Sequence, residues 1–283
     1  MVNSLDGRLI SLLRGDLALA LYERLSQRVV QSYGCSVQAL DERAAGVAAT
    51  LTDGTRWSGD LVIGADGIHS AIRKLAFGPE SNYLRYLGLH TAAYTFANPE
   101  LHKKLGQQFA ITDSLDKTVG LYPIRNERIA VFTAHRTSDS AFPPDPRAVV
   151  QTTYSDLGWL VPDALAHCPD PPAFYYDQVS QIEMPRWTAD RVALVGDACQ
   201  AVSLLAGASL AVAGAQLLAS ELANEAKRDR PALSLHKAGG RVRGRQTSCR
   251  TANRRMGSSP QPYAGSCFAG SPSGVWPYPA SAA

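Results

Sequence analysis

The sequence predicts an α/β protein with a second, antiparallel β-rich domain, and three observations predict it. Two short apolar runs, residues 60–63 and 191–195, each stop at a glycine-associated aspartate and lead into helix-forming residues. Central strands of a parallel sheet read in this way. Between them, from about Tyr83 to Arg136, apolar residues partly alternate, which is the period-two signature of antiparallel strands. A chain of 283 residues has room for both domains.

The first element is a helix capped by Asp16, in which Leu17, Leu21 and Leu25 recur at i, i+4 and i+8 and Glu23, Arg24 and Arg28 face solvent. Beyond Gly34, residues 36–40, 46–52 and 55–57 read as short strands. Asp53-Gly54, a pair that favours tight hairpins, joins the last two. The run 60–63 is apolar after Asp60 and is expected to be buried on both faces, and Ser70, Ile72, Arg73 and Leu75 then predict a helical turn. Residues 86–96, 108–112, 117–123 and 128–135 predict the antiparallel sheet, with a turn at Arg125-Asn126-Glu127. A proline-rich link at 141–146 leads to a helix over 146–160, a loop around 168–172, and a strand over 174–183 that returns toward the first domain. Strand 191–195 is followed by small residues opening a long helix.

The formal charge of +3 conceals a split. Residues 227–283 hold ten Lys or Arg against one acid, Asp229, for +9, whereas residues 1–226 sum to −6. That tail also carries six prolines and seven glycines in 57 residues, and it reads as disordered. Its arginines form no helical stripe, so nucleic acid is not an expected partner. Five cysteines without a CxxC pair indicate neither a disulfide framework nor a zinc site, and His69, His90, His135 and His167 share no metal-ligand spacing. No metal is expected. Residues 1–10 lack the apolar region of a signal peptide, so a cytoplasmic location is expected. Residues 198–220 run for 23 positions without a charge, but eight are alanine and several are polar, which favours a buried soluble helix over a membrane span. Cys199, Trp187 and the pair Tyr175-Tyr176 read as packing residues.

Asp66 and Asp197 stand at the carboxyl ends of the two apolar strands, where open α/β sheets bind ligands. Two readings stand for each: a cap for the helix that follows, or an acceptor for sugar hydroxyls while neighbouring glycine amides approach a pyrophosphate. Taken together and in this order, the motifs resemble a family. Gly64-Ala65-Asp66-Gly67-Ile68-His69-Ser70-Ala71-Ile72-Arg73 follows GADGxxSxxR, and Arg191-Val192-Ala193-Leu194-Val195-Gly196-Asp197-Ala198 follows RVxLxGDA, of the FAD-dependent aromatic-hydroxylase-type (group A) monooxygenases with the para-hydroxybenzoate hydroxylase fold. Arg14-Gly15-Asp16-Leu17 resembles the family's R-x-x-L stretch, and Met184-Pro185-Arg186-Trp187 also fits. The resemblance covers about residues 8–226.

The resemblance implies a partial Rossmann-like FAD-binding domain at 1–78 and 184–226, an inserted antiparallel β-sheet substrate domain at 79–183, and the basic tail at 227–283. It implies FAD as cofactor, NAD(P)H as co-substrate, and O2 with an aromatic or similarly activated small molecule as substrates. Asp197 would bond the ribityl chain, Asp66 would lie near the pyrophosphate and assist NAD(P)H binding, and Arg14 would contact the ribityl side. Gly67, Arg73, Gly196 and Gly207 complete the expected cofactor-binding set. No protein residue is assigned as general acid or nucleophile, because the chemistry belongs to the cofactor.

The chain departs from the family pattern in three ways. No G-x-G-x-x-G unit precedes Arg14, so the chain is expected to be truncated inside the FAD domain. The loop from Ala198 to Leu210 is two residues short and lacks the second glycine of the usual turn. The tail does not resemble the family's closing helices. These departures leave a second expectation open: a catalytically impaired remnant, or a non-catalytic fragment that binds a small molecule.

Overall fold

The computed structural model describes residues 14–25, 27–43, 46–106, 108–202, 207–226 and 275–277. Three sheets organise them. Helix α1 (Arg14–Tyr22) leads to a three-stranded antiparallel meander, β1 (Val37–Arg43), β2 (Gly46–Leu51) and β3 (Arg56–Gly59). The β2–β3 turn forms where Asp53-Gly54 demands it: Gly54 adopts φ +84°, and the Asp53 carboxylate accepts the Thr55 N–H at 2.8 Å.

The second sheet holds the expected parallel pair. Strand β4 (Val62–Gly64) runs parallel to β11 (Val192–Leu194), with Val62 opposite Val192 and Gly64 opposite Leu194, and the short β10 (Thr188–Ala189) flanks β11. Between β4 and β11 the chain makes α2 (Ala71–Phe77), a 3-10 turn at Glu80–Asn82, and the large sheet. A Cβ on Gly64 would lie 2.6 Å from Leu194 Cδ2 and 2.8 Å from Ile72 Cβ, so glycine is required for α2 to press onto the strand pair. Ile72, Val192, Leu194, Ala198, Cys199, Trp187 and Met184 bury one core there.

The third sheet has the order β12-β6-β7-β8-β5-β9 and is antiparallel throughout. Its strands are β5 (Leu84–Ala97), β6 (Gln108–Ser114), β7 (Lys117–Ile124), β8 (Arg128–Arg136) and β9 (Phe174–Ile182), with β12 (Val275–Pro277) at the edge. Alternation sorts the side chains cleanly. Ala92, Tyr94, Phe96, Leu121, Ile129, Val131 and Phe174 point to one face and join a core roofed by α3 (Pro99–Leu105), α4 (Pro146–Thr153) and α5 (Val161–Ala166). The opposite face carries Thr91, Ala93, Thr95, Gly120, Tyr122, Ala130, Phe132 and Ala134, by the same register. The chain closes on α6 (Asp197–Gln200) and α7 (Gly207–Ala226).

Several expectations are corrected. Helix α1 begins at Arg14, so Asp16 lies in its first turn instead of capping it, and none of its residues is buried. Its leucines find no core, and Leu21 is 58% exposed. Strand β4 is not covered on both faces, since Ile63 is 43% exposed. The helix expected over 146–160 is broken: α4 ends at Thr153 with Tyr154 as its C-cap, Trp159 takes a left-handed φ of +59°, and α5 starts afresh after Leu160. Helix α3 was not expected, although Asn98 caps it by accepting the Leu101 N–H at 3.0 Å and Pro99 opens it. Within the alanine-rich stretch 198–220 the described residues fall in two helices, and among its described side chains α7 buries a stripe containing Leu218 and Glu221. Among the described residues no helix is long and apolar enough to cross a membrane. Val275–Pro277, within the stretch expected to lack order, pairs with β6; the other tail residues lie outside the described residues.

Candidate functional site

The site forms where the parallel strands β4 and β11 end side by side. Each strand delivers its aspartate through a glycine with positive φ beside it, +82° at Gly67 and +65° at Gly196. A Cβ on Gly67 would meet nothing within 4 Å, so this loop presents backbone to open space.

The two aspartates differ. Both carboxylate oxygens of Asp66 are engaged locally: Oδ1 accepts the Ser70 hydroxyl at 2.5 Å and Oδ2 accepts the Ile72 N–H at 3.0 Å. Ser70 Oγ in turn accepts the Arg73 N–H at 2.9 Å and caps α2. The capping reading therefore holds for Asp66. Asp197 opens α6 after Gly196, is half-buried, and has no hydrogen-bond or ion-pair partner among the described residues. A half-buried carboxylate left without a donor is a site for a ligand's hydroxyls.

Arg73 joins the two loops. It is fully buried, with Nη1 donating to the Ala198 carbonyl at 2.9 Å and Nη2 to the Ile68 carbonyl at 2.6 Å and to Glu80 at 2.8 Å. Burial presses its guanidinium pKa below the ordinary value, and the Glu80 charge opposes this. With no exposed side-chain surface, Arg73 serves the site as a brace between the GADG loop and the residue that follows Asp197.

Loop 198–202 is anchored separately. Buried Gln200 donates to the Leu210 carbonyl at 3.0 Å, tying α6 to α7, and Ile182 of β9 donates its N–H to the Ala201 carbonyl at 2.9 Å. Cys199 is buried and lies 3.4 Å from the Leu194 carbonyl, a packing position. Gly207 opens α7, and residues 203–206, on which the expected loop shortening falls, lie outside the described residues.

Strand β9 brings residues that the sequence reading passed over. Tyr175 was expected to pack in the sheet or core, yet it is 55% exposed and donates to Asp177 Oδ2 at 2.9 Å. Partial burial, then that bond and the Asp177 charge, push its phenol pKa well above the ordinary value; Arg14 opposes the shift and Asp197 adds to it. Tyr175 is thus the electrostatic neighbour of both Arg14 and Asp197. Arg14 is exposed at the start of α1, which is held to the β7–β8 turn by an Asp16–Arg125 ion pair of 2.5 Å. The i, i+2 spacing of Tyr175 and Asp177 was the available signal, since it places both on one face of the strand. That face is the one carrying Thr91, Ala93 and Phe132.

The residues fit the ribityl and pyrophosphate side of a flavin dinucleotide: a carboxylate without a donor, two glycines in left-handed backbone, and a cation at Arg14. The family described as "FAD binding domain" matches residues 16–241. The chain is 32% identical over 220 residues to a flavin-dependent monooxygenase of Legionella longbeachae, covering 75% of this chain and 56% of that protein. It is 38% identical over 233 residues to an uncharacterized protein of Mycobacterium tuberculosis, covering 78% and 60%. Among solved structures it is similar to the tetracycline destructase Tet(51), with a TM-score of 0.69 at 25% identity over 80% of this chain and 61% of that one. It is also similar to Klebsiella pneumoniae HpxO complexed with FAD and uric acid, with a TM-score of 0.61 at 26% identity over 79% and 57%. The chain spans 56–60% of the length of these curated relatives. On the motifs, the fold and these matches, the chain belongs to the FAD-binding-domain family of aromatic-hydroxylase-type flavoprotein monooxygenases.

Proposed function

We propose that the chain carries the core of an FAD- and NAD(P)H-dependent monooxygenase that hydroxylates an aromatic or similarly activated small molecule. The observation that carries this reading is the half-buried Asp197 carboxylate, without a donor among the described residues, at the end of a parallel strand. In this reading residues 1–78 and 184–226 hold the cofactor and residues 79–183 cover the substrate. Asp197 accepts hydrogen bonds from the ribityl hydroxyls, Arg14 supports the same side, and the Gly67, Gly196 and Gly207 backbone approaches the phosphates and ring. Asp66 keeps the Gly67 loop in shape by capping α2 and supports NAD(P)H approach. Arg73 holds both loops at a fixed separation. The chemistry supplied by bound FAD is hydride acceptance from NAD(P)H and activation of O2. The sheet face with Thr91, Ala93, Phe132 and Tyr122 supplies a mostly apolar roof that excludes water.

A second reading is favoured by the bare leucines of α1 and by exposed Ile63 on β4: a chain that offers a small-molecule surface without retaining flavin. One experiment separates the two. The purified chain, as isolated and after addition of FAD and desalting, is examined for visible absorption at about 375 and 450 nm, the flavin bands. Retained bands, with NAD(P)H oxidation in the presence of O2, support the enzyme; a colourless protein that fails to take up FAD overturns it.

A further inference from the structure

His69 lies between two carboxylates from different parts of the fold. Its Nδ1 is 3.1 Å from Glu80 Oε1, on the turn after α2, and its Nε2 is 3.3 Å from Asp177 Oδ1, on the return strand β9. A neutral imidazole carries one N–H, and an ionised carboxylate has no proton to donate. Only the imidazolium satisfies both contacts; once neutral, one ring nitrogen turns its lone pair on a carboxylate and that contact opens.

The consequence reaches the cofactor site. Asp177 is nearly buried, its other oxygen accepts the Tyr175 hydroxyl, and its Oδ1 also accepts the Gln178 N–H at 2.8 Å. Glu80 is bonded to Arg73, which holds Ala198 beside Asp197. A continuous chain of polar contacts therefore runs from the Asp197 loop to Tyr175, and His69 is its one titratable link near neutral pH. We propose that His69 is a positioning residue whose imidazolium fastens β9 to the β4–α2 loop and so fixes Tyr175 beside Arg14 and Asp197. Partial burial works against the charge, and the hydrogen bonds to Glu80 and Asp177 outweigh it, so His69 holds its proton above the ordinary histidine range. The charged groups facing it are Glu80 on the turn, Asp177 on β9, and Arg73 behind Glu80.

The proposal rests on strand β9, the β4–α2 loop and the Glu80 turn after α2, and its test needs no flavin, so it stands or falls apart from the enzymatic reading. In the full chain, the His69 ring is titrated by NMR, with its signal assigned by its loss in His69→Gln. Amide hydrogen exchange of residues 174–179 is followed in parallel across pH 6–9, corrected for intrinsic rates. The wild type is expected to titrate above a reference histidine, with Asp177→Asn lowering the value. Its β9 protection should fall about threefold to fivefold as the ring deprotonates, the size expected of a partly exposed ion pair. His69→Gln should show the low protection at every pH. His69→Arg, always charged and able to donate on two sides, should keep the high protection at pH 9. A His69 pKa at or below the reference value overturns the proposal. So does a wild-type pH dependence that persists in His69→Gln, or equal protection in the Gln and Arg variants.

Discussion

Replacing Arg73 by Met tests whether the two motif loops are held by one side chain. Methionine nearly fills the space of the stem but removes every guanidinium contact, leaving the Ala198 and Ile68 carbonyls without their donor. Each buried acceptor so orphaned costs about 1–3 kcal/mol. Glu80, 36% exposed on its side chain, regains water and adds little. The expected loss is about 3 kcal/mol, or roughly 6–12 °C in Tm for a folded body of this size. Arg73→Lys keeps the charge but not the fork, and should lose about half as much. The assay is urea and thermal unfolding followed by circular dichroism, with FAD affinity measured on the folded variants. A methionine variant that melts within about 1 °C of the wild type would refute the brace.

Further outcomes follow from the same contacts. His135 is buried against Tyr154, and burial first, with neighbouring His90 adding, pulls its pKa down to about 4. A histidine whose folded pKa is depressed stabilises the fold fully above its unfolded value of about 6.5 and loses that contribution as pH falls toward 4. Denaturant unfolding should therefore show stability dropping by up to about 3 kcal/mol between pH 6.5 and 4, with a shallower decline in His135→Gln. His90 shifts in the same direction, also from burial. Gly64→Ala should destabilise by about 1–3 kcal/mol, because its methyl would lie 2.6 Å from Leu194 Cδ2; an unchanged melting curve would show that α2 and β11 can part freely.

What was legible in the sequence was chemistry that acts locally. Asp53-Gly54 turns the chain whatever surrounds it, and the short apolar runs before Asp66 and Asp197 do become paired parallel strands, although only β11 is buried throughout. The capping oxygens of Ser70 and Asp66 are likewise a short-range matter. Asn98-Pro99 was an equally local signal for α3 and was passed over inside the β-rich texture. The end of α4 at Thr153 was not legible, since no glycine or proline marks that position, and the left-handed backbone of half-exposed Trp159 comes after the helix has already stopped. Helix α1 shows the converse failure: its leucine spacing is real, but spacing says which residues share a face and not whether anything covers it. The contacts of His69 with Asp177, 108 residues apart, depend on how the return strand meets the first loop, and no local pattern encodes that.

The central claim is that Asp197, free of donors among the described residues, is the carboxylate that holds the cofactor. Titrating FAD into the purified wild-type chain and into Asp197→Ala, by quenching of flavin fluorescence, tests it most directly. The account predicts saturable one-to-one binding by the wild type. In the variant it predicts a loss of about tenfold or more, as for removal of a charge-assisted hydrogen bond, with unfolding free energy changed by less than about 0.5 kcal/mol. Equal FAD affinity in the two proteins, or no binding by either, would contradict it.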